Sequence, residues 1–214
     1  MSKGEVRNAS ARTRRDAPPG ALERLVLFSD AVFAIAITLL VVEIDVPTRS
    51  DGDLASALAD LWPQFLSFLL SFLVVGLFWI GHHRMFGYVA RSDSRLLWLN
   101  LALLLCIAFL PFPTALLGEH EGDRVAVLFY ASAMTATGLA SASLWRYASA
   151  GGRLLASDAD EAIVRYLSRR SVVVPLSFLP SLPVAFVSAR AAEALWFLAF
   201  PLVAVVRRVH RQAF

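Results

Sequence analysis

One cysteine, Cys106, and one lysine, Lys3, are all that this 214-residue sequence contains of those two residue types. A lone thiol inside an apolar run excludes an internal disulfide and any cysteine-based metal cluster. Charge is scarce too, at 17% of positions. The basic residues are nearly all arginines spread among the ends of apolar runs, not gathered on one soluble face, which argues against a nucleic-acid partner. Nothing after Val125 repeats an earlier segment. The first 21 residues lack an apolar core and read as a flexible basic cytoplasmic tail, not as a cleaved signal peptide.

What the chain has instead is apolar length. Hydrophobic residues fill 57% of positions and the mean hydropathy is +0.62, against roughly 45–50% apolar content in soluble domains. The expected fold is all-α, a polytopic membrane protein with six transmembrane helices: Leu22–Val46, Phe65–Phe86, Leu96–Leu117, Val125–Trp145, Val172–Ser188 and Ala194–Val206. Each is near the ~20 residues that cross a hydrocarbon core, the last two being short. The chain divides accordingly into the tail 1–21, a six-span domain 22–207 and a short cytoplasmic tail 208–214.

Arginine placement sets the orientation. Between these spans one side collects seventeen basic residues and the other only Arg49, Arg124 and Arg190. Both termini are therefore expected in the cytoplasm. The opposite side carries nine carboxylates, among them Glu43, Asp45, Glu119 and Glu193. These either fill outer loops freely or raise the local cation concentration at a conduit. DLASALADLWPQ places Leu54, Leu58, Leu61 and Trp62 at helical spacing, as in a short piece lying at the outer interface. Ser157 ahead of Asp158, Asp160 and Glu161 predicts a capped cytoplasmic helix ending in Arg165, Arg169 and Arg170. Pro111 and Pro113 should bend the third span, and Pro175, Pro180 and Pro183 should make the fifth irregular.

The stretch RLVLFSDAVFAIAITLLVVEIDVP, Arg24 to Pro47, is not merely apolar. Asp30 stands about two turns into the span, where an ionisable side chain costs roughly 2.5–3.5 kcal/mol on insertion scales. That cost implies a protein-facing role. Residues three, four and seven apart share a helix face, so Ala31, Ile35, Thr38, Leu39 and Val42 form one stripe. By periodicity alone that stripe is either a packed seam or the wall of a pore.

Arg24-x-x-x-Phe28-Ser29-Asp30 followed by AVFAIAITLLVVEI resembles the signature first span of the transmembrane protein 175 family, the endolysosomal potassium channels and their bacterial relatives. SFLVVGLFWIGHHRMF (Ser71–Phe86) and FLPFPTALLGEH (Phe109–His120) extend the resemblance over three blocks in order. It implies a homotetrameric, potassium-favouring cation channel whose pore is formed by the first helices of the oligomer. It also implies that Ala31, Ile35, Thr38, Leu39 and Val42 line the conduit. No TVGYG-like filter is present, and a hydrophobic constriction is a recognised alternative gate. The expected partners are other copies of the chain, the lipid bilayer and monovalent cations. Permeant potassium is expected and no cofactor, in the plasma membrane of a bacterium.

The remaining polar residues form two groups. Glu43 and Asp45 would stand at the pore mouth. Arg24, Phe28, Ser29, Asp30, Trp79, His82, His83 and Asn100 compose a structural lock, in which one histidine meets Asp30 while the other faces the cytoplasmic boundary with Arg84. Adjacent histidines on a helix point apart and lack a third ligand at i+3 or i+4, so no metal site is expected. An enzyme built on them would lack a nucleophile and a soluble active-site domain. The alternative to a channel is a secondary or proton-coupled cation transporter. It would need ionisable groups near the bilayer midplane, and Asp30 is the one interior candidate.

Overall fold

Prolines punctuate this chain, and its helices are longest where prolines are missing. A computed structural model describes residues 20–44, 46–47 and 53–211, without the side chains of residues 43, 199, 200, 207 and 209–211. Helix α1, Ala21–Leu39, contains neither proline nor glycine and tightens into a 3-10 turn at Leu40–Glu43. A short α2, Leu54–Asp60, lies one residue ahead of α3, Trp62–Phe86, whose Pro63 occupies the first turn, where a missing N–H is harmless. Helix α4, Ser94–Phe109, gives way at Leu110 to α5, Pro111–Glu119. Helix α6, Arg124–Ser149, follows. After a turn at Ala150–Gly152 come α7, Glu161–Ser171, α8, Val173–Phe178, α9, Ser181–Ala185, α10, Ala189–Trp196, and α11, Ala199–Arg211. Among the described residues there is no β-strand, only an isolated bridge between Val89 and Leu155.

Among the described residues five runs are long and apolar enough to cross a membrane: Ala21–Val42, Trp62–Phe86, Ser94–Glu119, Arg124–Gly152 and Ala189–Val206. The run Val172–Ser188, expected as a fifth span, is not among them, and it is irregular as its prolines imply. Pro180 lacks an N–H for the carbonyl one turn back and its ring clashes there, so the run splits into α8 and α9. Buried hydroxyls take up part of the interrupted ladder, as Ser177 donates to the Val173 carbonyl at 2.9 Å and Ser181 to that of Phe178 at 2.6 Å. The Trp196 indole on α10 donates to Ser181 at 3.0 Å and ties the next helix to the break. The cap of α7 is also corrected: Asp160, not Ser157, accepts from the Ala162 N–H at 2.7 Å.

Helix α6 is the central post. Its buried Tyr130, Met134, Leu144 and Trp145 belong to one core with Leu96, Leu103 and Ile107 of α4 and Phe178 of α8. Gly138 lets α8 come close: a Cβ there would stand 2.7 Å from Pro175 Cδ and 3.0 Å from its nitrogen.

At the end of the bundle where α3 ends and α4 begins, two loops are clasped. The Ala90 N–H donates to the Leu154 carbonyl at 2.8 Å, and Ala156 to Tyr88 at 3.0 Å. Asp93 caps α4 through the Leu96 N–H and also accepts from the Tyr147 hydroxyl at 2.6 Å and from Arg153 at 2.9 Å. Arg95 and Arg153 both lie over the Tyr147 ring, at 5.0 and 5.5 Å. Desolvation pushes the Asp93 carboxyl up, but the Tyr147 hydroxyl, the Leu96 N–H and the Arg153 guanidinium together outweigh it and hold it below its usual value.

Two outcomes are expected. A carboxylate depressed in the folded state contributes stability above its unfolded value, and that contribution disappears as pH falls through the folded one. Thermal unfolding in detergent should therefore lose a component of stability below about pH 4, and Asp93→Asn should remove that component while lowering stability at pH 7. Gly138→Ala forces its methyl into a rigid proline ring, so it should cost about 1–3 kcal/mol. Gly118→Ala meets the Ser67 side chain, whose hydroxyl can rotate, and should cost less in the same melt.

A candidate conduit face and the polar network behind it

Helix α1 has two unlike faces. Leu25, Ser29, Phe33, Ala36 and Leu40 are 5% exposed or less and pack toward α3 and α4. On the other side Ile35 is 57% exposed, Leu39 56% and Val42 74%, and Ala31 and Thr38 are exposed with them. Among the described residues of one chain, nothing covers the stripe that periodicity picked out. The Thr38 hydroxyl donates back to the carbonyls of Ala34 at 2.9 Å and Ile35 at 3.1 Å. Its proton is spent on its own helix, so what it presents outward is acceptor capacity.

The buried face is held by hydrogen bonds. The Asn100 amide on α4 donates to Ser29 Oγ at 2.8 Å, and Ser29 donates onward to the Leu25 carbonyl at 2.8 Å. With its nitrogen so engaged, Asn100 turns Oδ1 to His82 Nε2 on α3, 2.9 Å away. The histidine must then carry a proton on Nε2, and its Nδ1 is buried without a hydrogen-bond partner among the described residues. Phe86 stacks on the His82 ring at 4.3 Å and Phe33 lies at 5.5 Å. Residues of α1, α4 and α3 thus meet in one buried chain of polar groups.

Asp30 takes a different partner. The Trp79 indole of α3 donates to Asp30 Oδ1 at 2.9 Å, which corrects the expectation that a histidine would meet this carboxylate. Consecutive residues point about 100° apart on a helix, so while Ser29 aims at the seam with α4, Asp30 aims at α3. His83 is exposed, its ring 5.5 Å from that of Trp79. Arg24 is exposed at the start of α1. Phe28, 55% exposed, lines an open apolar hollow between α1 and α4 with Val32, Trp98, Leu101 and Leu105. The structure therefore brings together Ser29, Asp30, Trp79, His82 and Asn100, and sets Arg24, Phe28 and His83 beside them. Asp45 and the side chain of Glu43 lie outside the described residues.

Sequence reading missed the clasp of Asp93, Tyr147 and Arg153. Asp93 ahead of SRLLW was legible as a helix cap, but its partners stand 54 and 60 residues away with no local signal. Among the described residues no group of three or more histidine, cysteine or acidic side chains could hold a metal ion.

Comparison with known proteins places this geometry. Residues 24–111 match the family model described as endosomal/lysosomal potassium channel TMEM175. A potassium channel of Chamaesiphon minutus is 42% identical over 171 residues, covering 77% of this chain and 84% of the relative. One of Streptomyces collinus is 40% identical over 171 residues, covering 78% and 83%. The crystal structure of a lysosomal potassium-selective channel TMEM175 homolog from Chamaesiphon minutus superposes with a TM-score of 0.72 at 35% identity, over 86% of this chain and 97% of that one. On the strength of these matches, this chain belongs to the TMEM175 family.

Proposed function

We infer that this chain conducts potassium across a membrane as a homotetrameric, potassium-favouring cation channel whose pore is walled by four copies of α1. The activity is supported by the bacterial relatives, both named potassium channels. The single observation that carries the pore assignment is the division of α1, whose stripe from Ala31 to Val42 is bare while its opposite face is locked into the bundle. One helix cannot enclose a conduit, so the stripe acquires its function only when several chains surround an axis.

In this reading cations gather at the outer carboxylates, including Glu43 and Asp45, and pass a neck formed by Ile35, Leu39 and Val42. A ring of aliphatic side chains offers nothing to replace hydration water and restrains ions by size and dewetting. Thr38, one turn from the Ile35 ring, adds oxygen lone pairs, which favour cations over anions. The broken helices α8 and α9 supply the fifth of six crossings, and an even number returns the C-terminus to the cytoplasmic side of the N-terminus. The arginine asymmetry and the bacterial relatives support placement in a bacterial plasma membrane. The hydrogen bonds among Ser29, Asn100 and His82, with Asp30 to Trp79, act as the lock that fixes the rotation of α1.

Reconstituted single-channel recording tests the conduit. Unitary steps are expected, and a carrier would give none. Ile35→Asn should admit water to the neck, raise current and shift the reversal potential toward equal potassium and sodium permeability. An assembled mutant with unaltered current and reversal potential would remove Ile35 from the conduit wall. The lock is tested separately. Asn100→Ala leaves Ser29 and His82 each short of a partner, at about 1–3 kcal/mol per group. It should lower the melting temperature and the yield of assembled oligomer, while the channels that do form keep their selectivity.

A further inference from the structure

The two flanks of the bare stripe differ from each other. Taking 3.6 residues per turn, Leu27 and Ala34 stand roughly 60–85° to one side of the stripe's centre, and the 3-10 turn brings Val41 into line with them. All three are exposed, Leu27 at 62% and Val41 at 53%. Phe28 and Val32 stand roughly 35–75° to the other side. There they form one wall of the apolar hollow whose opposite wall is Trp98, Leu101 and Leu105 of α4. Trp98 and Leu105 are 71% and 72% exposed. One flank is a ridge with a small residue at its middle; the other is an open groove.

In a four-fold ring each neighbour lies about 45° to either side of the direction toward the axis. Both flanks therefore fall where neighbouring protomers must be. Rotation about the membrane normal also preserves depth, and the Ser29–Asn100 hydrogen bond fixes the relative depth of α1 and α4 within a chain. Leu27 is two residues below Ser29, as Trp98 is two below Asn100. Ala34 is five above Ser29, as Leu105 is five above Asn100. Both pairs of anchors are seven residues apart, two turns of helix, so ridge and groove match in register as well as in position. The two surfaces carry no charge, and Ala34 permits the close approach on which helix association in lipid depends.

We propose that the protomers join head to tail, the Leu27, Ala34 and Val41 ridge of one copy seating in the groove between α1 and α4 of the next. The assignment rests on the reading that the stripe from Ala31 to Val42 faces a four-fold conduit. It goes beyond that reading by naming the two unlike surfaces that close the ring and their register, Leu27 to Trp98 and Ala34 to Leu105. A lipid tail in the groove would instead interrupt the conduit's wall and open it to the bilayer.

Disulfide trapping in membranes tests the pairing. With Cys106→Ala as background, Ala34→Cys, Leu105→Cys and the double variant are oxidised with copper phenanthroline, and a denaturing gel is run. A heterologous contact predicts a ladder from dimer to tetramer in the double variant and no ladder in either single one, since each bridge needs both residues within Cα distances of about 4.4–6.8 Å. Dimers from either single variant alone would signify an isologous contact and overturn the proposal. So would the absence of a ladder in a double variant that still gives oligomers by native mass spectrometry and unitary currents. That result leaves the pore reading standing with its protomers joined through other surfaces. If the Cys106→Ala background protein is monomeric in native spectra and passes no unitary current, the pore reading itself fails.

Discussion

Polar groups inside a hydrocarbon slab have no water to fall back on, so where α1 carries a hydroxyl and a carboxylate, its rotation is no longer free. Ser29 must turn to Asn100 and Asp30 to Trp79, and on a rigid helix those two choices fix the direction of every other side chain. Apolar contact alone would not do this, because Leu25, Phe33 and Ala36 could exchange places with Leu27, Ile35 and Leu39 at small cost in a medium as apolar as leucine itself. The orientation of the bare stripe is in this sense a by-product of two hydrogen bonds on the opposite side of the helix.

The same logic explains the division of labour among the helices. Helices α3 and α4 supply the indole, imidazole and amide that hold α1, and are themselves joined through His82 and Asn100. Helix α6 supplies bulk, with its buried aromatic residues and its close approach to α8 at Gly138. The proline-broken segment then packs against this post, its interrupted backbone sheltered by protein, which is where irregular helix is tolerated at membrane depth.

Much of this was legible in the residues. The face division of α1 follows from spacing, and the break between α4 and α5 follows from Pro111 and Pro113. The partner of Asp30 was not legible, because sequence places Trp79, His82 and His83 on one short segment and only the angle between α1 and α3 decides among them. The three prolines of Val172–Ser188 announced an irregular run, but the place of its break, between Phe178 and Ser181, depends on which carbonyls find hydroxyl partners in the folded chain. The clasp of Asp93 with Tyr147 and Arg153 depends on how two separate loops fold back, which no local pattern encodes.

Among the described residues the polar attachments of α1 to other helices are confined to its N-terminal half, while from Phe33 onward it is held by non-directional apolar contact. Mechanically the helix is a rod pinned near one end. From Ser29 to Val42 the lever is about 20 Å long, so a tilt of roughly 5° about the pin would carry Val42 through nearly 2 Å while stretching no hydrogen bond appreciably. A displacement of that size is comparable to the radius of a water molecule. A lateral push on the free end would therefore move Val42 far more than it moves Ser29.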